Sequence, residues 1–241
     1  MRRLDVAFTP AGVGGDLAQT ATVVIDVLRA TTVIVRALDA GAERIIPTLD
    51  PDDALQVRAE RGADVLLGGE RNSVRIAGFD LDNSPASYRP ETVGGATIAF
   101  TTTNGTRALQ RVASAGATRV LCAAFANLDA VVERLAGDER SHLLVVCAGT
   151  EGAVSLEDTL CAGAIAAGIV LRDPSVVLTD AGRAAALLYN GVRERLVEAV
   201  ASGEHAQRLA SLGFAADVVA AAQRNTSRGV PVYANTEITL S

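Results

Sequence analysis

Residues Thr22-Val-Val-Ile-Asp26-Val-Leu-Arg29-Ala30-Thr31-Thr32-Val-Ile-Val-Arg-Ala-Leu-Asp-Ala40 hold the key to the architecture. A β-branched run, Thr22–Asp26, has the character of a buried strand, and Ala30–Ala40 then takes up a helical period. The polar residues fall at the junction between the two. Working outward, the same alternation predicts further strands at Leu4–Thr9, Arg44–Pro47, Asp64–Leu67, Thr97–Thr101, Arg119–Cys122 and His142–Cys147. Helices are predicted at Pro51–Arg61, Gly105–Ala115, Leu128–Leu135 and Leu156–Leu171. Strands alternating with helices predict an α/β chain with a layered, mostly parallel or mixed sheet. Beyond residue 172 the pattern becomes helix-rich, with Ala181–Tyr189, Val192–Ser202, Glu204–Ser211 and Phe214–Gln223, then a last strand at Val230–Tyr233. With no repeat and no low-complexity linker, residues 1–241 are expected to form one domain, with 173–229 as a helical subregion.

All 22 residues counted as Lys or Arg are Arg. Schiff-base chemistry and the lysine-bearing phosphate loop are therefore excluded, because both need an ε-amine. Any fixed side-chain cation other than histidine must be a guanidinium. Apolar residues make up 49% of the chain and aromatic residues only 3%, so the core must be built from Ala, Val, Leu and Ile. A net charge of −6 gives no basic face for duplex nucleic acid. Three cysteines without C-x-x-C spacing suit free thiols in a reducing compartment. No apolar run is long enough for a signal peptide or a membrane span, so a cytoplasmic protein is expected.

In an open α/β sheet, ligands gather beyond the carboxyl ends of the strands. Five polar segments occupy such places: Asp26–Thr32, Gly68-Gly69-Glu70-Arg71, Thr101–Thr106, Ala123–Asn127 and Ala148–Gly152. Asp26 can ligate a divalent metal or simply cap the next helix. Arg29 can fork onto an oxyanion. The paired glycines before Glu70 and Arg71 allow either a close backbone approach to an anion or a turn with positive φ. Asn104 is a plausible N-cap, which leaves Thr103, Gly105 and Thr106 facing an anion at a helix N-terminus. Ser155-Leu-Glu157-Asp158 has capping-box form, with Ser155 as N-cap and Asp158 reaching back, so Glu157 is free for metal or water. Cys161-Ala-Gly163-Ala permits close helix packing. His142 and His205 are expected to be structural or solvated.

Gly78-Phe-Asp80-Leu-Asp82-Asn83-Ser84-Pro85 resembles the D-x-D-x-[TS] nucleophile motif of haloacid-dehalogenase-type phosphatases. A poor strand precedes it, and the lysine that those enzymes usually place against the phosphate is missing. No Cys is followed by Arg six positions later, and G-x-S-x-G is absent.

Taken in order, Asp26–Thr32, Gly69–Arg71, Gly78–Pro85, Thr102–Thr106, Cys147-Ala-Gly149 and Ser155–Gly163 resemble the 2-phosphosulfolactate phosphatase (ComB) family over almost the whole chain. The resemblance implies a Mg²⁺-dependent hydrolase that releases phosphate from 2-phospho-3-sulfolactate on the route to coenzyme M. Asp82 stands where the family usually has Gly, so Asp80, Asn83 and Ser84 are the positions that carry over.

On that resemblance, Mg²⁺ is expected on carboxylates drawn from Asp26, Glu70, Glu157 and Asp158, with Asp80 a further candidate. Arg29 and Arg71 are expected to bind phosphate or sulfonate, with Thr31, Asn83, Ser84 and the Thr103-Asn104-Gly105-Thr106 turn completing the substrate site. Glu157 is expected to activate water, Asp26 to serve catalysis, and Asp80 to offer an alternative aspartyl-phosphate route. The expected partner is a small phosphorylated sulfonate or carboxylate. The Ala-rich C-terminal helices would suit a homodimer.

Overall fold

The computed structural model describes residues 1–240. Strands β1 (Arg3–Ala7) and β2 (Thr20–Ile25) lead into helix α1 (Ala30–Asp39). Next come β3 (Arg44–Thr48), α2 (Pro51–Arg61), β4 (Leu66–Arg71), β5 (Val74–Arg75), the short α3 (Pro90–Val93), β6 (Thr97–Thr101) and α4 (Gly105–Ser114). The chain continues through β7 (Val120–Ala123), α5 (Leu128–Ala136), β8 (His142–Cys147), α6 (Leu156–Arg172) and β9 (Val177–Leu178). Helices α7 (Asp180–Val192), α8 (Leu196–Ala201), α9 (Glu204–Ser211) and α10 (Ala215–Ala221) follow, and the hairpin β10 (Pro231–Ala234) and β11 (Glu237–Leu240) closes the chain.

The eleven strands lie in the order β5-β4-β6-β3-β11-β10-β7-β2-β8-β1-β9. One block, β4-β6-β3, is parallel, and so is the other, β7-β2-β8-β1-β9. The C-terminal hairpin is the wedge between them, antiparallel to β7 on one side and to β3 on the other. Its loop residues Asn235 and Thr236 both have positive φ, 50° and 68°, which suits a two-residue turn that matches strand twist. The expected last strand thus exists, but it has a partner, β11. In the stretch Glu237-Ile238-Thr239-Leu240, only Ile238 is buried.

Both sheet faces are covered. In β2, Ala21, Val23 and Ile25 pack into one apolar cluster while Val24 packs into the other, as a two-residue period requires. The first cluster takes in α5 and α6 together with residues of α7, α8, α9 and α10, so the helical C-terminal stretch shares the main core. Helix α7 lies close against α6, where a Cβ on Gly163 would strike the Ala185 carbonyl.

The glycine pair lies within a strand, where the sequence allows either an anion approach or a turn with positive φ. Gly68 and Gly69 lie inside β4, paired with Phe100 and Thr101 of β6. Gly69 has φ of 138°, and a Cβ there would run into the Thr101 backbone. Close strand approach is what requires glycine here.

Candidate functional site

Hydrogen bonds hold the turn after β2 in place. The Asp26 N–H donates to the Thr31 hydroxyl at 2.9 Å, and that hydroxyl donates to the Asp26 carbonyl at 2.8 Å. Thr32 likewise donates to the Val27 carbonyl at 2.8 Å. Both threonines are buried, and their hydroxyls are committed to the turn. From α6, Asp158 accepts from the Val27 N–H at 2.8 Å and from the Gly149 N–H at 3.0 Å, joining the ends of β2 and β8. Asp158 therefore does not reach back in a capping box, and the Ser155 hydroxyl meets Thr150 at 2.7 Å.

Above this turn lies a small cleft lined by Asp26, Arg29, Glu70, Asn83, Thr102–Asn104, Thr150, Glu151, His205 and Arg208, among others. Four of the five strand-end segments meet there. In the fifth, Asn127 is buried and bonds to the Ala124 N–H and to the Cys122 and Gly229 carbonyls, which anchors the C-terminal segment instead. Glu70 accepts from the Thr103 N–H and the Ser73 N–H, both at 2.7 Å. Arg29 donates to Asp217 on α10 at 2.8 Å and to the Ser73 carbonyl at 2.9 Å, with Phe214 stacked 4.2 Å from its guanidinium. Ser84 donates to the other Asp217 oxygen at 2.7 Å.

Folded proteins leave few buried polar side-chain atoms unpartnered. Among the described residues there are five such atoms, and four of them, Arg29 Nε, Asn83 Oδ1, Thr103 Oγ1 and His205 Nδ1, belong to residues of this cleft. Their concentration marks a ligand site. His205 Nε2 lies 2.9 Å from the Leu28 carbonyl, which can only accept, so Nδ1 is the bare nitrogen of the neutral ring.

Burial is the main electrostatic influence on the carboxylates. It pushes Asp26 up to about 7, opposed by the Ala30 N–H bond and reinforced by Glu70 and Glu157. Burial also raises Asp158, helped by Asp26 and Glu157, and raises Glu157. His205 is lowered, first by burial and then by Arg29 and Arg208. A cluster of carboxylates resisting ionisation has a physical appetite for a cation.

Several expected site residues lie elsewhere or are already committed. Arg71 is outside the cleft, bonded to the Leu49 and Glu70 carbonyls and to Thr101 Oγ1. Asp80 is also outside it, accepting from the Leu67 N–H and paired with Arg58. Asp82 accepts from the Ser84 N–H and the Ser87 hydroxyl, a local turn role. Thr106 and Thr102 bond to each other, while Asn104 accepts from the Glu151 N–H instead of capping α4. Gly105 lies against Asp26, where a Cβ would sit 2.7 Å from Oδ2. Glu157 lines a second, larger cleft, which shares Thr150, Glu151, His205 and Arg208 with the first. His205, expected to be structural or solvated, and Glu151 of the Ala148–Gly152 segment both line the cleft, whereas Arg208 and Asp217 escape the reading of the sequence, since their helices carry no motif.

A sequence profile of the 2-phosphosulpholactate phosphatase family matches residues 7–236. The chain belongs to this family. A family relative from Symbiobacterium thermophilum is 43% identical over 226 residues, covering 93% of this chain and 96% of its own length. One from Thermotoga petrophila is 44% identical over 213 residues, or 88% of each chain. A third, from Synechococcus, is 42% identical over 207 residues, covering 85% of this chain and 84% of the relative. All three carry the name "Probable 2-phosphosulfolactate phosphatase".

Among the described residues, no three His, Cys, Asp or Glu side chains form a ready-made metal cage. The four carboxylates expected to share a metal differ in what they have left to offer, because Asp158 is spent on two backbone N–H groups and Glu157 lines the adjoining cleft. Asp26, Glu70 and the unpartnered Asn83 Oδ1 are hard oxygen donors lining one cleft. That set fits Mg²⁺, which commonly takes one or two carboxylates and fills its remaining positions with water and substrate oxygens. Among the described residues no helix is long and apolar enough to cross a membrane.

Proposed function

We propose that this chain hydrolyses 2-phospho-3-sulfolactate to 3-sulfolactate and phosphate with Mg²⁺, in the cytoplasm, on the route to coenzyme M. The observation that carries this reading is the gathering of four unpartnered buried polar atoms in the carboxylate-lined cleft of a family member. Three unpaired, buried cysteines support a reducing compartment.

Asp26 and Glu70, with Asn83 Oδ1, would hold the metal. Bound there, Mg²⁺ supplies charge neutralisation at the phosphoryl group and polarisation of a water. Thr103 Oγ1 and Arg29 Nε offer hydrogen bonds to phosphoryl oxygens, and the Arg29–Asp217 pair fixes the guanidinium in place. Glu157, raised by burial toward the range useful for proton transfer, takes a proton from water as its oxygen attacks phosphorus. The ester P–O bond then breaks, its electron pair goes to the departing alkoxide on the opposite side of phosphorus, that oxygen takes a proton from solvent water, and Glu157 gives its own proton back to solvent. Asp80, outside both clefts and held by Arg58 and the Leu67 N–H, takes no part in these steps.

The test is phosphate release from 2-phospho-3-sulfolactate before and after exhaustive chelation, with Glu157→Gln alongside. Loss of activity on chelation, restored by Mg²⁺, and a strong fall in kcat for Glu157→Gln are expected. Activity that survives chelation contradicts the metal role, and full turnover by Glu157→Gln contradicts the base.

A further inference from the structure

An ion pair stands at the junction of the two clefts. Arg208 on α9 donates from Nη1 to Glu151 Oε1 at 2.9 Å, and both residues line the small cleft and the larger one. Neither side chain is buried: their exposures are 42% for Arg208 and 63% for Glu151. An exposed pair of this kind contributes little to stability and exchanges partners easily.

The charges around it make this exchange useful. The small cleft carries Asp26, Glu70 and Glu151 against Arg29 and Arg208, and the larger cleft adds Glu157 and Glu204 without another cation. Arg29 cannot be released to a ligand, because its two terminal nitrogens are held by Asp217 and the Ser73 carbonyl in a buried setting. Arg71 lies outside both clefts, and three oxygens already hold it. A substrate with more than one acidic group has to find a second cation here, and only Arg208 has donors it can give up.

We propose that Arg208 is the specificity-determining residue for the non-phosphate acid group of the substrate, leaving Glu151 to form a forked pair with that carboxylate or sulfonate. This rests on the phosphatase reading of the same cleft. The phosphoryl group would occupy the small cleft beside Asp26 and Glu70, and the acidic arm would extend toward the larger one. Glu151 is then a competitor built into the site: it holds Arg208 when no substrate is present and disfavours esters that cannot displace it. A guanidinium matches the planar fork of a carboxylate and two oxygens of a sulfonate. The Asn104 side chain, bonded to the Glu151 N–H at 3.1 Å, keeps Glu151 at the junction.

The experiment compares wild type, Arg208→Met, Arg208→Lys and Glu151→Gln on four phosphate esters. These are 2-phospho-3-sulfolactate, 2-phospholactate with a carboxylate alone, 2-phosphoethanesulfonate with a sulfonate alone, and phenyl phosphate with neither. Binding of 3-sulfolactate is measured in parallel by calorimetry, which needs no turnover. Arg208→Met is expected to raise KM for the acidic esters, and Kd for 3-sulfolactate, by about tenfold or more, with kcat and phenyl phosphate hydrolysis little changed. Arg208→Lys should recover part of the loss, and Glu151→Gln should lower KM for the acidic esters. Whichever single-acid ester responds identifies the group that Arg208 holds. Equal losses on phenyl phosphate, or unchanged KM and Kd in Arg208→Met, overturn the proposal. A wild type that binds 3-sulfolactate through Arg208 yet hydrolyses no ester upholds it while refuting the phosphatase reading. A wild type that neither binds nor hydrolyses overturns both.

Discussion

Arg29 and Asp217 lie 188 residues apart in the chain and meet in a buried ion pair of 2.8 Å. The pair ties the first βα turn to the last helix, and Ser84 completes Asp217 from a third segment. Removing one partner of a buried pair leaves an uncompensated charge, which costs about 3–5 kcal/mol. Asp217→Ala should therefore lower the denaturation midpoint by an amount equivalent to that range in a urea titration. An unchanged midpoint would show that the pair is not holding the helical region to the sheet.

Asp158 makes a second long-range brace, satisfying buried N–H groups at the ends of β2 and β8. Each buried donor left without a partner costs roughly 1–3 kcal/mol. Thermal unfolding should rank wild type above Asp158→Asn, which keeps one acceptor oxygen, and Asp158→Asn above Asp158→Ala. If the two variants melt together, the bonds to Val27 and Gly149 are not what Asp158 contributes.

Gly69→Ala tests the glycine pair. A methyl group there meets the Thr101 backbone from a residue already at φ of 138°, so β4 and β6 must separate. Loss of soluble folded protein, or a large fall in melting temperature, is expected. A variant as stable as wild type would mean that the strands can part without cost.

The local periods of the sequence made much of the fold legible. Thr22–Asp26 and Ala30–Ala40 correspond closely to β2 and α1, and Glu204–Ser211 corresponds to α9. Strand-end polar residues also identified Asp26, Glu70 and Thr103 as neighbours of one cleft, and the family resemblance added Asn83. The central hairpin was half legible, because the short Glu237–Leu240 run is separated from β10 by only two turn residues. What the sequence withheld is long-range. Nothing local in His205, Arg208 or Asp217 reveals that tertiary packing folds their helices over a turn nearly two hundred residues earlier, as the 188-residue separation of Arg29 and Asp217 illustrates. Asp80 and Arg71 sit in motif-like positions yet lie outside the cleft, since spacing along the chain does not fix which way a side chain points.

His205 gives a pH-dependent readout. Its folded value is held below the ordinary 6.5, first by burial, then by Arg29 and Arg208, against the Leu28 carbonyl and Glu70, which raise it. The unfolded chain takes the proton more readily, so the contribution of neutral His205 is complete above the ordinary value. It is lost as pH falls through about 6.5 toward the folded value. Between about pH 8 and about pH 5, the melting temperature of wild type should fall relative to that of His205→Gln. Parallel curves would contradict the buried, neutral imidazole.

The most direct test is steady-state phosphate release from 2-phospho-3-sulfolactate in Mg²⁺ by wild type and Asp26→Asn, with folding of the variant checked by melting. Asp26 is a buried carboxylate lining the cleft, pushed up to about 7, and is the group proposed above to hold the metal. Wild type is expected to turn the ester over, and Asp26→Asn to lose about a hundredfold or more in kcat, the scale seen when one preorganised electrostatic group is removed from an active site. A folded Asp26→Asn with wild-type turnover, or a wild type that releases no phosphate, would contradict the phosphatase site described above.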